Sequence, residues 1–236
     1  MFFDLNVKGD SLENNLILAS EASKYGWNHI NFSYNQKEFQ EGFDLKDELE
    51  DNLSDVINFD YTLEIKSTNV NEIRKITNKY RNKASCISVV GGDLKVNRAV
   101  VENVKIDVLS RPYLKRFDGG LNHVLSKEAL KNNVAIELCF KDVLKSYLSY
   151  RSKFISNFKD IYVLYRKFDF PLILSSGAES VFDIKTTHDF IAFFKQTGLT
   201  DDEIMKSFKT SRDILEFNKN RDKMIFKGVR RVVDEA

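Results

Sequence analysis

Short apolar runs alternate with helical stretches along almost the whole chain. The runs Phe2 to Val7, His29 to Ser33, Tyr61 to Lys66, Cys86 to Val90, Ile106 to Leu109, Val134 to Leu138 and Leu172 to Ser175 are rich in Val, Ile, Leu and Phe and end in turn-forming residues. That is the pattern of buried parallel strands. Between them, Leu12 to Lys24, Val70 to Tyr80, Leu121 to Lys131 and Val143 to Tyr165 read as helices. In the last of these, Leu144, Leu148, Ile155, Phe158, Tyr162 and Tyr165 recur at helical spacing and share one face. Seven strand–helix alternations imply parallel strands joined by right-handed crossovers. No G-x-G-x-x-G follows the first strand, so the pattern favours a TIM-type (β/α) barrel over an open nucleotide-binding sheet. Seven strands rather than eight predict irregular or incomplete closure, with C-terminal helices completing one domain over residues 1–236. Pro112 and Pro171 flank strands, where a missing N–H costs least.

Charge changes the picture locally. The formal net charge is only +1, which excludes a wholesale polycation. From Lys37 to Asp60 nine acidic residues face two basic ones, which predicts a solvated acidic insertion after the second strand. The tail Lys206 to Ala236 carries nine basic and five acidic residues, with a helix predicted over Arg212 to Phe226. Lys141 to Lys167 carries seven basic and two acidic residues. Two such segments in a nearly neutral chain point to a segregated positive face, the footprint nucleic acid requires. Cys86 and Cys139 lie inside apolar runs and read as inert core thiols of a reducing compartment. The start MFFDLNVKGD lacks the basic-then-apolar layout of a signal peptide, and no run approaches a membrane span, so the expected location is cytoplasmic.

Barrel chemistry gathers at the C-terminal ends of strands. Those positions here are Asp4, Asn6, Asn31, Ser33, Lys66, Asp93, Ser110, Arg111, Glu137, Ser175 and Ser176. Only three histidines exist, His29, His123 and His188, and none forms an H-x-H or H-E-x-x-H. No catalytic residue and no metal ligand is therefore assigned. Ser175-Ser176-Gly177-Ala178 follows the last strand and suits either phosphate binding or a tight turn. The loop SRPYLKRFDGGLNH sets Arg111, Lys115 and Arg116 among Tyr113 and Phe117, which suits phosphate contact and base stacking.

The block DVLSRPYLKRFDGGLNHVLSKEALKNNVAIEL, Asp107 to Leu138, resembles the archaeal ribonuclease P protein component three family, whose eukaryotic relatives are a thirty-kilodalton subunit. FFDLNV, LILSSGAES and TSRDILEFN match the same family in the same order. The resemblance implies a barrel related to the polymerase-and-histidinol-phosphatase superfamily, in which an H-x-H after the first strand opens a metal site. Here Asp4-Leu5-Asn6 stands instead. It further implies a subunit of a tRNA-processing endoribonuclease whose catalytic RNA holds the magnesium, the protein itself holding no cofactor. The implied partners are that RNA, precursor tRNA, other ribonuclease P proteins and protein component two, with two copies of each of the pair and no membrane. RNA contact is expected from Arg111, Lys115, Arg116, His123, Lys141, Lys145, Arg151, Lys153, Ser175, Ser176, Lys219, Arg221, Lys223, Arg230 and Arg231. Two alternatives stay open: a metal-dependent phosphoesterase with unusual ligands, and a protein-binding scaffold whose basic helices are merely solvated.

Overall fold

Period-two alternation sorts each strand's side chains to the inside or the outside of a barrel. The computed structural model describes residues 1–221, together with the backbone of Met224–Phe226 and Val229–Arg230. Strands β1 (Phe3–Lys8), β2 (His29–Asn35), β3 (Asn58–Ile65), β4 (Cys86–Val90), β5 (Val108–Ser110), β6 (Ala135–Cys139) and β7 (Leu172–Ser175) pair in chain order, all parallel. The crossovers carry α1 (Leu12–Lys24), α2 (Phe39–Asp44), α3 (Lys46–Leu53), α4 (Val70–Tyr80), α5 (Leu94–Val101), α6 (His123–Asn132), α7 (Phe140–Leu144) and α8 (Leu148–Phe168). After β7 come α9 (Thr187–Thr197) and α10 (Asp201–Lys219), then β8 (Met224–Phe226) antiparallel to β9 (Val229–Arg230). This is a TIM-type barrel, nearly closed.

The open seam lies between the edge strands β1 and β7. It is bridged by other means: Lys8 N–H donates to the Ala178 carbonyl at 2.8 Å, and Ser176 N–H donates to the Asp4 carboxylate at 3.2 Å and 3.3 Å. Outward residues such as Ile30, Phe32, Leu63, Val89, Ile136 and Leu174 are buried under the helices in the main core. Inward, the lower layer is a second apolar cluster of Phe3, Leu5, Cys86, Val108, Ala135 and Ile173, closed from below by Ile214 and Leu215 of α10. That helix starts on a capping box between Thr200 and Glu203, with Asp201 and Asp202 favouring the positive end of its dipole. It forms the floor of the barrel, where Asn218 donates to the Ser85 carbonyl at 2.8 Å.

Three expectations are corrected. Residues 37–60 are not solvated throughout: α2 and α3 bury Phe39, Leu49 and Leu53 at helical spacing, while the acids other than Asp60 are exposed. The predicted helix Val143 to Tyr165 is broken at residues 145–147. There Arg151 Nε donates to the carbonyls of Val143 (3.2 Å) and Ser146 (3.0 Å), satisfying the end of α7 before α8 begins. The tail helix is α10, which ends at Lys219 with Asn220 at its cap rather than at Phe226. Sequence reading also left α5 and α9 unassigned.

Candidate functional site

The upper interior of the barrel, at the C-terminal strand ends, is polar and charged. Glu64 on β3 takes Lys8 Nζ at 2.7 Å and Lys66 Nζ at 2.7 Å, with the Arg111 guanidinium at 3.6 Å. Arg111 also reaches Asp142 at 3.5 Å, and the Tyr113 hydroxyl donates to that carboxylate at 2.7 Å. Beside them Glu137 accepts from Asn6 Nδ2 at 2.8 Å and from Ser175 Oγ at 2.5 Å. Burial would raise Glu64, yet Lys8 and Lys66 outweigh it and hold the carboxyl down at about 2. Burial wins at Asp142, which sits above its ordinary range despite Arg111 and Tyr113.

This mouth is a largely self-compensated cluster. Glu64 and Asp142 are met by resident ammonium and guanidinium groups, while Glu137 accepts only from the neutral Asn6 amide and Ser175 hydroxyl. Among the described residues no group of three His, Cys, Asp or Glu side chains is arranged to hold a metal. In Asp4-Leu5-Asn6 of β1, the Asp4 carboxylate accepts from the backbone N–H groups of Asn6 and Ser176, and Asn6 donates to Glu137. These donors are therefore spent on backbone N–H groups and on one another.

Asp4 offers a direct check. Burial raises it from 3.8 to about 6, over the opposing hydrogen bonds of Ser176 and Asn6. A raised carboxyl favours folding most below its unfolded value, and that contribution is lost as pH rises through about 6, a swing of about 3 kcal/mol. Asp4→Asn cannot titrate, so the wild-type advantage over it should shrink by most of that amount between about pH 4 and about pH 7.5 in urea denaturation. A pH-independent difference would remove Asp4 from this role.

The residues expected to touch RNA fall in three places. The first group is internal. Arg111 points into the mouth, Ser175 and Ser176 are buried, and the Ser-Ser-Gly-Ala segment leads into a loop rather than a helix. Its Ser176 N–H is already spent on an anion, the carboxylate of Asp4. The second group lines the rim. Lys141 and Lys145 both pair with Glu179, Lys145 also reaches Asp183 at 3.1 Å, and Arg116 pairs with Asp118 at 2.6 Å. Lys115, His123 and Arg151 are exposed and Lys153 half-buried, none of them ion-paired among the described residues. The third group is at the floor, the opposite end. Lys219 pairs with Asp60 at 2.9 Å, and Arg221 reaches Asp107 at 3.5 Å. The two basic segments thus do not make one face, because α10 ends at the strands' N-terminal edge while α7 and the start of α8 stand at the mouth. Lys223 and Arg231 lie outside the described residues, and Arg230 is described by its backbone alone.

Sequence reading missed Lys8, Glu64, Asp142, Glu179 and Asp183. For Glu64 a signal existed: Asp60, Thr62 and Glu64 alternate with Tyr61, Leu63 and Ile65, which marks a polar inward face. Cys86 and Cys139 are free and buried inside the barrel, where burial pushes both thiols up.

Known proteins place this architecture. A histidinol phosphate phosphatase from Lactococcus lactis, with zinc, L-histidinol and phosphate, superposes at TM-score 0.61 with 11% identity, covering 84% of this chain and 94% of that one. At that identity the likeness is one of fold alone. A chain in the cryo-EM structure of archaeal ribonuclease P with mature tRNA superposes at TM-score 0.83 with 31% identity, covering 99% of each chain. Ribonuclease P protein component 3 of Methanothermobacter thermautotrophicus is 38% identical over 97% of this chain and 94% of its own length. The component 3 of Methanocaldococcus jannaschii is 35% identical over 73% of this chain and 75% of its own. With the RNase P subunit p30 family matched over residues 1–223 as well, the chain belongs to that family.

Proposed function

We propose that this chain serves as a protein subunit of ribonuclease P, the endoribonuclease that generates mature tRNA 5′ ends from precursor tRNA, and that it positions the catalytic RNA without cutting. The observation that carries this reading is the filled mouth: Glu64 and Asp142 are compensated by Lys8, Lys66 and Arg111. A hydrolytic site needs carboxylates free to hold a metal or move a proton, and these are already committed. Magnesium then belongs on the RNA, whose closely packed phosphates also need fixed countercharge from lysine and arginine. Contacts of that kind set position rather than sequence, as an enzyme acting on many precursor tRNAs requires. The working unit pairs this chain with protein component 2, two copies of each, among other subunits in the cytoplasm. No helix among the described residues is long and apolar enough to cross a membrane.

The test is reconstitution from the RNA and the other protein subunits with and without this chain. Omission should abolish precursor cleavage at low magnesium and allow partial recovery at high magnesium. The chain alone should cleave nothing at any magnesium concentration. Accurate cleavage at the mature 5′ end by the chain alone would overturn the reading, as would full activity in its absence.

A further inference from the structure

On the barrel rim, four large apolar side chains stand out into solvent instead of packing. Phe117 is 94% exposed, Tyr147 76%, Leu148 89% and Tyr150 68%. They come from two segments, the loop after β5 and the start of α8, which meet in one surface. Lys153 Nζ sits 3.9 Å above the Phe117 ring, and the Arg151 guanidinium lies 6.0 Å from the Tyr147 ring. Leu148 has φ 46°, a left-handed conformation that a leucine adopts only at a steric cost, yet its side chain is turned outward.

The charge around this patch is mainly basic, its neighbouring acids being Asp118, held by Arg116, and Asp160. From Ser146 to Lys159 the sequence contains no acid. Arg151, Lys153 and Lys159 have no carboxylate partner among the described residues, whereas Lys141 and Lys145 just before them share Glu179. Flat aromatic faces beside uncompensated cations complement a ligand that presents exposed rings on a polyanionic backbone. Unpaired nucleotides do so, while a duplex keeps its base faces stacked internally. A protein partner would be served by the apolar groups but not by cations lacking acids between them.

We infer that this rim binds unpaired nucleotides of RNA, with bases stacked on Phe117, Tyr147 and Tyr150 and phosphates held by Arg151 and Lys153. The inference rests on the reading of the chain as a ribonuclease P subunit and adds where, and in what conformation, RNA is met. The experiment titrates the full chain into a labelled single-stranded ribo-oligonucleotide and into the matching duplex across a salt series. Wild type should prefer the single strand. Phe117→Ala and Tyr147→Ala should each weaken it about tenfold with the salt slope unchanged. Lys153→Ala should instead flatten the slope by about 0.7. All three positions lie at the surface, and unaltered thermal unfolding verifies the fold.

Absence of single-strand binding by wild type, equal losses on duplex and single strand, or aromatic variants that bind like wild type would overturn the inference. So would variants that keep RNA affinity but no longer co-assemble with another subunit, since the face would then belong to protein. Reconstituted cleavage separates the two levels. If wild type supports cleavage while these variants bind normally, this inference alone falls; if wild type supports none, the reading beneath it falls.

Discussion

Arg111→Met should destabilise the barrel by about 3–5 kcal/mol, the loss typical when one member of a buried ion pair is removed. The Arg111 side chain is only 12% exposed, and its guanidinium lies between Glu64 at 3.6 Å and Asp142 at 3.5 Å. Burial works against its charge, but Asp142 and Glu64 hold Arg111 above its usual range. Methionine matches much of the volume and none of the charge, leaving Asp142 facing Glu137 with little besides the Tyr113 hydroxyl. Urea denaturation at neutral pH measures the effect. Adding Asp142→Asn should recover part of it, because the stranded charge is removed with its partner. Unchanged stability with weakened RNA association would instead return Arg111 to phosphate contact.

Gly120→Ala is the second large effect, expected at about 3 kcal/mol or more. Gly120 has φ +70°, and a Cβ there would lie 1.9 Å from the Pro112 carbonyl oxygen. Neither backbone segment can retreat. Asn97 Nδ2 donates to the carbonyls of Pro112 at 3.0 Å and Gly120 at 2.8 Å, while Asp118 accepts the Gly120 N–H at 3.0 Å. Gly198→Ala is the matched control. Its φ is +122°, but nothing stands closer than 3.9 Å to an added Cβ, so only backbone strain of about 1 kcal/mol is expected. Thermal unfolding of the two variants compares them; equal shifts would show that the clash at Gly120 is relieved by movement.

The barrel was legible because every strand is a compact apolar run and the helices between them keep one apolar face. What the pattern hid was direction. Arg111 and Lys115 are four residues apart in one loop and both take positive φ, yet one turns into the mouth and the other to solvent. That choice depends on Glu64 and Asp142, which lie 47 and 31 residues away in sequence. Ser175 and Ser176 suited a phosphate loop as well as a tight turn, because their N–H groups and hydroxyls can meet an anion. The anions they meet are Glu137, for the Ser175 hydroxyl, and Asp4, brought across the seam to the Ser176 N–H, neither of which a local window contains. The basic tail misled in a similar way. Its charge is real, but α10 must cross beneath the barrel to bury Ile214 and Leu215, and this carries Lys219 to the acid at Asp60. The acidic stretch 37–60 showed its charge more loudly than the spacing of Phe39, Leu49 and Leu53 beneath it.

The position of α10 has a consequence for synthesis. A nascent chain that has emerged as far as Ser175 possesses all seven strands but nothing beneath Phe3, Leu5, Cys86, Val108, Ala135 and Ile173. Those greasy side chains stay wet until residues 201–219 clear the ribosome and slide under them. Completion of the fold therefore waits on α10 rather than on the order in which the strands appear.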